Sequence, residues 1–246
     1  MRYIMILACS LLFAACSKQQ SGAEPNSGSG QGGSLARFTV VGDYLYVVDS
    51  RVLYTYSIGN GQPVRKTEQS IQGTTTVETI YGYGNYLFIG SSDAMYIYSL
   101  ANPNSPILNG QASHVRACDP VVANDSIAYV TVRAGNTCGG NQNALMVYDI
   151  RNVMNPVLKK TEGLASPYGL GMRDRMLYVC DGSYGLKIYN ITKPLYPNLK
   201  RTITGLVYKD VIATNDLLIC MIDGGMVLYS YDNTGQYLVE QSRLNY

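Results

Sequence analysis

Three observations predict an all-β chain folded as a ring of five four-stranded antiparallel blades, a β-propeller. A segment of about 42 residues recurs five times, each copy holds a pair of short apolar strands, and those strands are apolar on both faces. The pairs are LYVVD with VLYTYSI (45–58), LFIGS with AMYIYSL (87–100) and AYVTV with ALMVYDI (128–150), then LYVCDGSYGLKIYNI (177–191) and LLICMIDGGMVLYSY (217–231). A tyrosine recurs in the second strand of each copy: Tyr56, Tyr98, Tyr148, Tyr189 and Tyr229. The composition agrees, with 22 tyrosines, 25 glycines and only 15% charged residues, which favours strands and turns over helices.

From the N-terminus, residues 1–15 (MRYIMILACSLLFAA) pair Arg2 with an apolar stretch closed by small residues. That stretch is too short for a permanent span and reads as an export signal. The Ala14-Ala15-Cys16 junction resembles the lipobox of bacterial lipoproteins, which implies cleavage before Cys16 and a diacylglycerol on its thiol. Several acyl chains at ~0.8 kcal/mol per buried CH₂ hold a protein to a membrane durably. Ser17 after the cysteine, by analogy with enteric bacteria, points to the outer membrane, with either its periplasmic or its outer side open as the address. Residues 16–34 (CSKQQSGAEPNSGSGQGGS) hold no large apolar residue after the cysteine and form a flexible tether.

Residues 35–246 carry the repeats. In each copy a strand a, such as FTVV (38–41), precedes the b–c pair, and a strand d, such as PNLKRTI (197–203), follows it. Strand b is apolar almost without alternation, and strand c puts Leu186 and Ile188 on one side, Tyr189 and Ile191 on the other. A sheet with one wet face alternates cleanly, so these sheets are covered on both faces, as blades packed between neighbours are. The chain begins with a strand a and ends with a strand d, so closure rests on blade one packing against blade five.

LYVCDGSYGLKIYNITKPLYP (177–197) resembles the LVIVD repeat, whose pattern runs roughly AYVADGxxGLxIxDVSNPxxP. The other four copies match more weakly, the first and fifth most weakly. The resemblance spans residues 35–246 and implies a propeller on a lipid anchor, similar to the repeat lipoproteins common in Bacteroidota. It brings no catalytic residues with it.

After Cys9 leaves with the signal and Cys16 takes the lipid, four cysteines remain. Cys180 and Cys220 occupy equivalent points of strand b in successive blades, too far apart for a bond, and read as buried thiols. Cys118 opens strand a of blade three and Cys138 lies just past its strand b, within the insertion RAGNTCGGNQN (133–143). Those two ends share one edge of the sheet, so a Cys118–Cys138 disulfide is expected in an oxidising compartment.

Function is less legible. The formal charge is +2, so nothing calls for nucleic acid as a partner, and His114 is the single histidine, which argues against a metal site. Neither a G-x-S-x-G elbow nor H-E-x-x-H occurs, and no cofactor is implied. Strand-a starts and b–c turns share one face of the ring around its axis. There Glu78, His114, Arg116, Asp119, Tyr168 and Asp210 form the candidate binding site, while the turn acids Asp49, Asp93, Asp181 and Asp223 read as turn caps. The expected function is a non-catalytic, lipid-anchored binding or scaffold module of the bacterial cell envelope, its partner a protein or a glycan. The alternative is an envelope hydrolase acting on a glycan or ester at the same face, with a carboxylate pair across the channel, Glu78 with Asp119 or with Asp210.

Overall fold

The computed structural model describes residue 33 and residues 35–74, 76–113, 120–124, 126–135 and 141–246. The signal, Cys16 and all of the tether but Gly33 lie outside these. Blade 1 consists of β1 (Phe38–Val41), β2 (Tyr44–Asp49), β3 (Val52–Ser57) and β4 (Val64–Ser70); blade 2 of β5 (Val77–Tyr83), β6 (Tyr86–Ser91), β7 (Ala94–Ser99) and β8 (Ile107–Ser113). Blade 3 holds β9 (Val121–Ala123), β10 (Ile127–Val132), β11 (Ala144–Asp149) and β12 (Val157–Gly163). Blade 4 holds β13 (Leu170–Arg173), β14 (Met176–Cys180), β15 (Leu186–Asn190) and β16 (Asn198–Ile203); blade 5 holds β17 (Tyr208–Ala213), β18 (Leu217–Ile222), β19 (Gly225–Tyr231) and β20 (Leu238–Asn245). Each sheet pairs four consecutive strands antiparallel, so the fold is the five-bladed β-propeller the repeats predict, and no blade combines the two ends of the chain.

Local sequence explains the hairpins. Gly42-Asp43 and Gly84-Asn85 close the a–b turns of blades 1 and 2, where the glycines take φ of 57° and 54°. This left-handed first position is what a tight two-residue hairpin asks for. The recurring tyrosine marks a second local device. In all five blades the c–d register shifts at that residue, leaving Lys66, Asn109, Lys159, Lys200 and Gln241 unpaired on the outer strand. A bulge twists an edge strand and a lysine there deters pairing with another molecule, so the exposed rim of each blade is protected against edge-to-edge association.

Packing energy comes from the junctions between blades. Tyr46 and Leu53 meet Leu87 and Tyr98 between blades 1 and 2; Phe88 and Ile97 meet Val130 and Tyr148 between blades 2 and 3. Tyr129 and Val147 meet Leu177 and Tyr189 between blades 3 and 4, and Tyr178 and Ile188 meet Cys220 and Tyr229 between blades 4 and 5. A large side chain buried in this way is worth about 1.5–3 kcal/mol. Three of the junctions also carry a latch: Tyr46 Oη donates to Pro103 O, Tyr129 Oη to Pro194 O and Tyr178 Oη to Gly235 O, each at 2.9 Å. In every case the third residue of strand b reaches the c–d turn of the next blade.

The fifth junction differs. No comparable core cluster joins blade 5 to blade 1 among the described residues. The facing side chains Leu45, Val47, Tyr54 and Tyr56 on blade 1, with Ile219, Met221, Met226 and Leu228 on blade 5, are half-buried. The inner strands β1, β5, β9, β13 and β17 pack pairwise in that order, but β17 does not meet β1 with the same density. The expectation that every blade is covered on both faces therefore holds fully for blades 2, 3 and 4 and only on one side for blades 1 and 5.

Cys180 and Cys220 are free and buried, as expected, and burial pushes both thiols upward in pKa. Cys118 and Cys138 lie outside the described residues.

Candidate functional site

The strand-a starts converge around the axis, and the chain shapes them with bulges of their own. In β5 the register skips Glu78 and in β17 it skips Lys209. A residue that the register skips at a strand's start aims its side chain away from the ladder. Glu78 meets Arg37, 3.5 Å away. Lys209 Nζ lies 4.6 Å from the centre of the Tyr168 ring and donates to Tyr168 Oη at 3.3 Å, while the Arg133 guanidinium stands 4.0 Å from the same ring centre. Tyr168 thus gathers two cations, an arrangement worth roughly 0.5–1 kcal/mol per contact at exposed sites. Its own carbonyl accepts from Thr131 Oγ1 at 2.6 Å, which ties the platform to blade 3.

Asp210 sits deeper. Its carboxylate lies against Gly33 and Gly169, so that a Cβ at Gly33 would push the carboxylate aside, and one at Gly169 would also crowd the Asp210 backbone. Oδ1 accepts from the backbone N–H of Val211 at 2.9 Å. The segment leading into β1 therefore touches two of the expected site residues: Gly33 packs on Asp210, Arg37 pairs with Glu78, and between them Ala36 O accepts from Ile80 N–H at 2.9 Å. Below this mouth the channel is filled by its own walls. Tyr81, Val122, Leu170 and Val211 bound a residual space of about 10 Å³, and burial, with Tyr83 beside it, pushes the Tyr81 hydroxyl up to about 12.

Of the six expected site residues, the structure brings Tyr168 together with Lys209 and Arg133, and sets Glu78 and Asp210 on the two ends of the leading segment. His114, Arg116 and Asp119 lie outside the described residues. Of the turn acids, Asp181 behaves as a cap: it is fully buried, accepts from the backbone N–H groups of Ala165 and Ser166, and pairs with Lys187 at 3.5 Å. At Asp93 the cap is its neighbour: Ser91 Oγ accepts from the N–H groups of Asp93 and Ala94 and donates to the Asp93 carboxylate at 2.9 Å. No group of three or more His, Cys, Asp or Glu side chains among the described residues is placed to hold a metal. Sequence reasoning missed Arg133 and Lys209. The signal was available in principle, since each sits at the channel end of an inner or second strand, but nothing in the residues themselves shows that both lean on one tyrosine.

The LVIVD repeat model matches residues 32–53, which contain the stretch Leu45-Tyr46-Val47-Val48-Asp49. The chain carries the LVIVD repeat. The match falls on blade 1, whereas the fourth copy, LYVCDGSYGLKIYNITKPLYP, follows the repeat's pattern most fully. No curated protein matches the chain. Among solved structures, the LVIVD-repeat chain is similar to a putative 6-phosphogluconolactonase from Bacteroides fragilis, at 12% identity and TM-score 0.66, with 85% of this chain and 69% of that one covered. It is similar to the periplasmic gluconolactonase PpgL of Pseudomonas aeruginosa, at 13% identity and TM-score 0.62, covering 83% and 68%. The computationally designed Ika8 protein gives 11% identity and TM-score 0.60, covering 84% and 60%. The chain thus spans about two-thirds of the two lactonases' length and 60% of the designed protein's. At such identities the likeness is one of fold alone.

Proposed function

We propose that this LVIVD-repeat propeller is a non-catalytic binding or scaffold module, held to the bacterial cell envelope by lipid on Cys16, with a protein or glycan as its partner. The outer membrane is its proposed address. The observation that carries the reading is the pair of bulges that turn Glu78 and Lys209 out of their ladders at the channel mouth, with Tyr168 placed under Lys209 and Arg133. Such a rim offers charge of both signs and an aromatic face on a rigid frame, which suits recognition of a polar surface. A Cys118–Cys138 disulfide would pin the insertion of blade 3 beside this rim.

The test is a pull-down from detergent-solubilised envelope with the wild type and with an Arg133→Ala/Lys209→Ala variant of unchanged melting temperature. A partner held by the first and lost by the second supports the reading; identical partner lists reject it. Labelling with palmitate, abolished by Cys16→Ala, tests the anchor separately.

A further inference from the structure

On the face opposite the channel mouth, the a–b turns of blades 4 and 5 and the c–d turn of blade 5 border a cleft of about 570 Å³, within the ~300–1,000 Å³ of small-molecule sites. Its floor is fixed. Tyr231 Oη donates towards Thr214 O and Leu217 O at 3.3 and 3.0 Å, and Arg173 lies 4.4 Å from that ring's centre and 3.5 Å from Asp174. Asp232 is also spent: it accepts from Thr234 Oγ1 at 2.7 Å and from the Tyr237 N–H at 3.0 Å. The walls are different. Arg175, Asn215, Asp216 and Asn233 line the cleft yet make no side-chain hydrogen bond or ion pair among the described residues.

Comparison of the repeats shows where this cleft departs from the pattern. The first turn position that is Gly42 in blade 1 and Gly84 in blade 2 is Asp174 in blade 4, at φ 52°. A left-handed aspartate is tolerated at a modest conformational cost. The next position, Asp43, Asn85 and Asp216 in blades 1, 2 and 5, is Arg175. Blade 4 thus replaces glycine and an acid or amide by an acid and a base, and it does so at the edge of the cleft.

The chemistry of the walls selects the ligand class. Two arginines stand against three aspartates, so a strongly anionic group would meet the carboxylates and a cation the guanidinium groups. Amides, carboxylates and a guanidinium side by side supply donors and acceptors together, which is what vicinal hydroxyls, each both donor and acceptor, require. We infer that this cleft binds a neutral oligosaccharide, with Asn215 and Asp216 taking a pair of hydroxyls and Arg175 donating to ring or glycosidic oxygens. The inference is independent of the channel mouth.

The test is isothermal titration calorimetry of the full-length chain in a non-glycosidic detergent with cellobiose, maltose and N,N′-diacetylchitobiose. At least one disaccharide is expected to bind saturably, with affinity reduced tenfold or more in Asp216→Ala and in Arg175→Ala and unchanged in Lys209→Ala. Absence of saturable heat from all three overturns the inference, as does binding that survives both cleft substitutions or is lost in Lys209→Ala. A glucuronate-containing disaccharide that binds tighter than every neutral one overturns the ligand class.

Discussion

The same tyrosine occupies the same place in every blade, and it has two fates. Tyr98, Tyr148, Tyr189 and Tyr229 are between 1% and 5% exposed, each wedged against the preceding blade; Tyr56, which faces blade 5, is half-buried. The strands that carry these residues are all largely apolar, and each has a bulge at that tyrosine. What differs is the neighbour. Four junctions are made between sheets joined by a short connection, so one packs as soon as the other has formed. The fifth must bring together sheets from opposite ends of the chain, and no shared strand fastens it. A repeat protein's stability approximates a sum of its nearest-neighbour interfaces, so this ring has four strong terms and one weak one.

The largest effect expected from this contrast is alkaline unfolding. Burial, with Tyr96 nearby, pushes the Tyr98 hydroxyl up to about 12, and burial raises Tyr46, Tyr129, Tyr178 and Tyr189 as well. An unfolded tyrosine ionises near pH 10. The stability these residues contribute is therefore complete below pH 10, falls above it, and is lost as pH climbs through about 12 and beyond, because the unfolded chain has then released protons that the folded one retains. A titration followed at 295 nm is expected to show one group of tyrosines ionising in the native state and a second group ionising only as the far-ultraviolet signal of the sheets collapses. A single smooth titration with the sheets intact would show that the junction tyrosines reach water.

Next in size is the contrast itself. Tyr189→Ala empties a packed junction and is expected to cost about 3–5 kcal/mol, in the range for large aromatic truncations. Tyr56→Ala removes the equivalent side chain from the loose seam and is expected to cost less than about half of that, as half-exposed sites do. Urea midpoints of the two variants, with equal m-values, check the difference. Equal losses would mean that blade 5 seats on blade 1 as firmly as the others seat on each other.

This difference also marks how much was legible in the sequence. The five b–c pairs, the order of strands and the buried thiols of Cys180 and Cys220 follow from local pattern, because apolar periodicity and turn residues act over a few positions. The same pattern made the outer faces of blades 1 and 5 look as covered as the rest. Leu45, Val47, Ile219 and Leu228 are apolar whether or not a neighbour arrives, and periodicity records the need for cover without its supply. The rim of the channel was half legible for a related reason. Strand starts are countable, so Glu78, Tyr168 and Asp210 could be placed there, whereas the lean of Arg133 and Lys209 onto Tyr168 depends on the angle between two blades. The latch tyrosines lay in view as the third residue of strand b in three blades (Tyr46, Tyr129 and Tyr178, with Phe88 and Ile219 in that place in the other two), but their acceptors are backbone carbonyls one blade away.

Those latches give the smallest and most local contrast. Tyr178→Phe removes a buried hydroxyl and leaves the carbonyl of Gly235 without its donor, an expected loss of about 1–2 kcal/mol. Blade 2 has the reverse situation. Phe88 stands where its neighbours have tyrosine, and beyond it Phe88, Val153, Ile150 and Asn124 border a space of about 290 Å³. Val153 holds the place in the c–d turn of blade 3 that Pro103 and Pro194 hold in blades 2 and 4, so a hydroxyl added at Phe88 would extend towards a turn of the kind its counterparts bond. Phe88→Tyr is expected to leave stability unchanged or raise it by up to about 1 kcal/mol, a shift of roughly 2–4 °C in Tm for a domain of this size. A drop in Tm would show that the Val153 carbonyl is already committed, and Gly110 is the place to look. A Cβ there would fall against that oxygen, so the turn of blade 3 leans on the outer strand of blade 2, and the hydroxyl would then be buried with nothing to accept it.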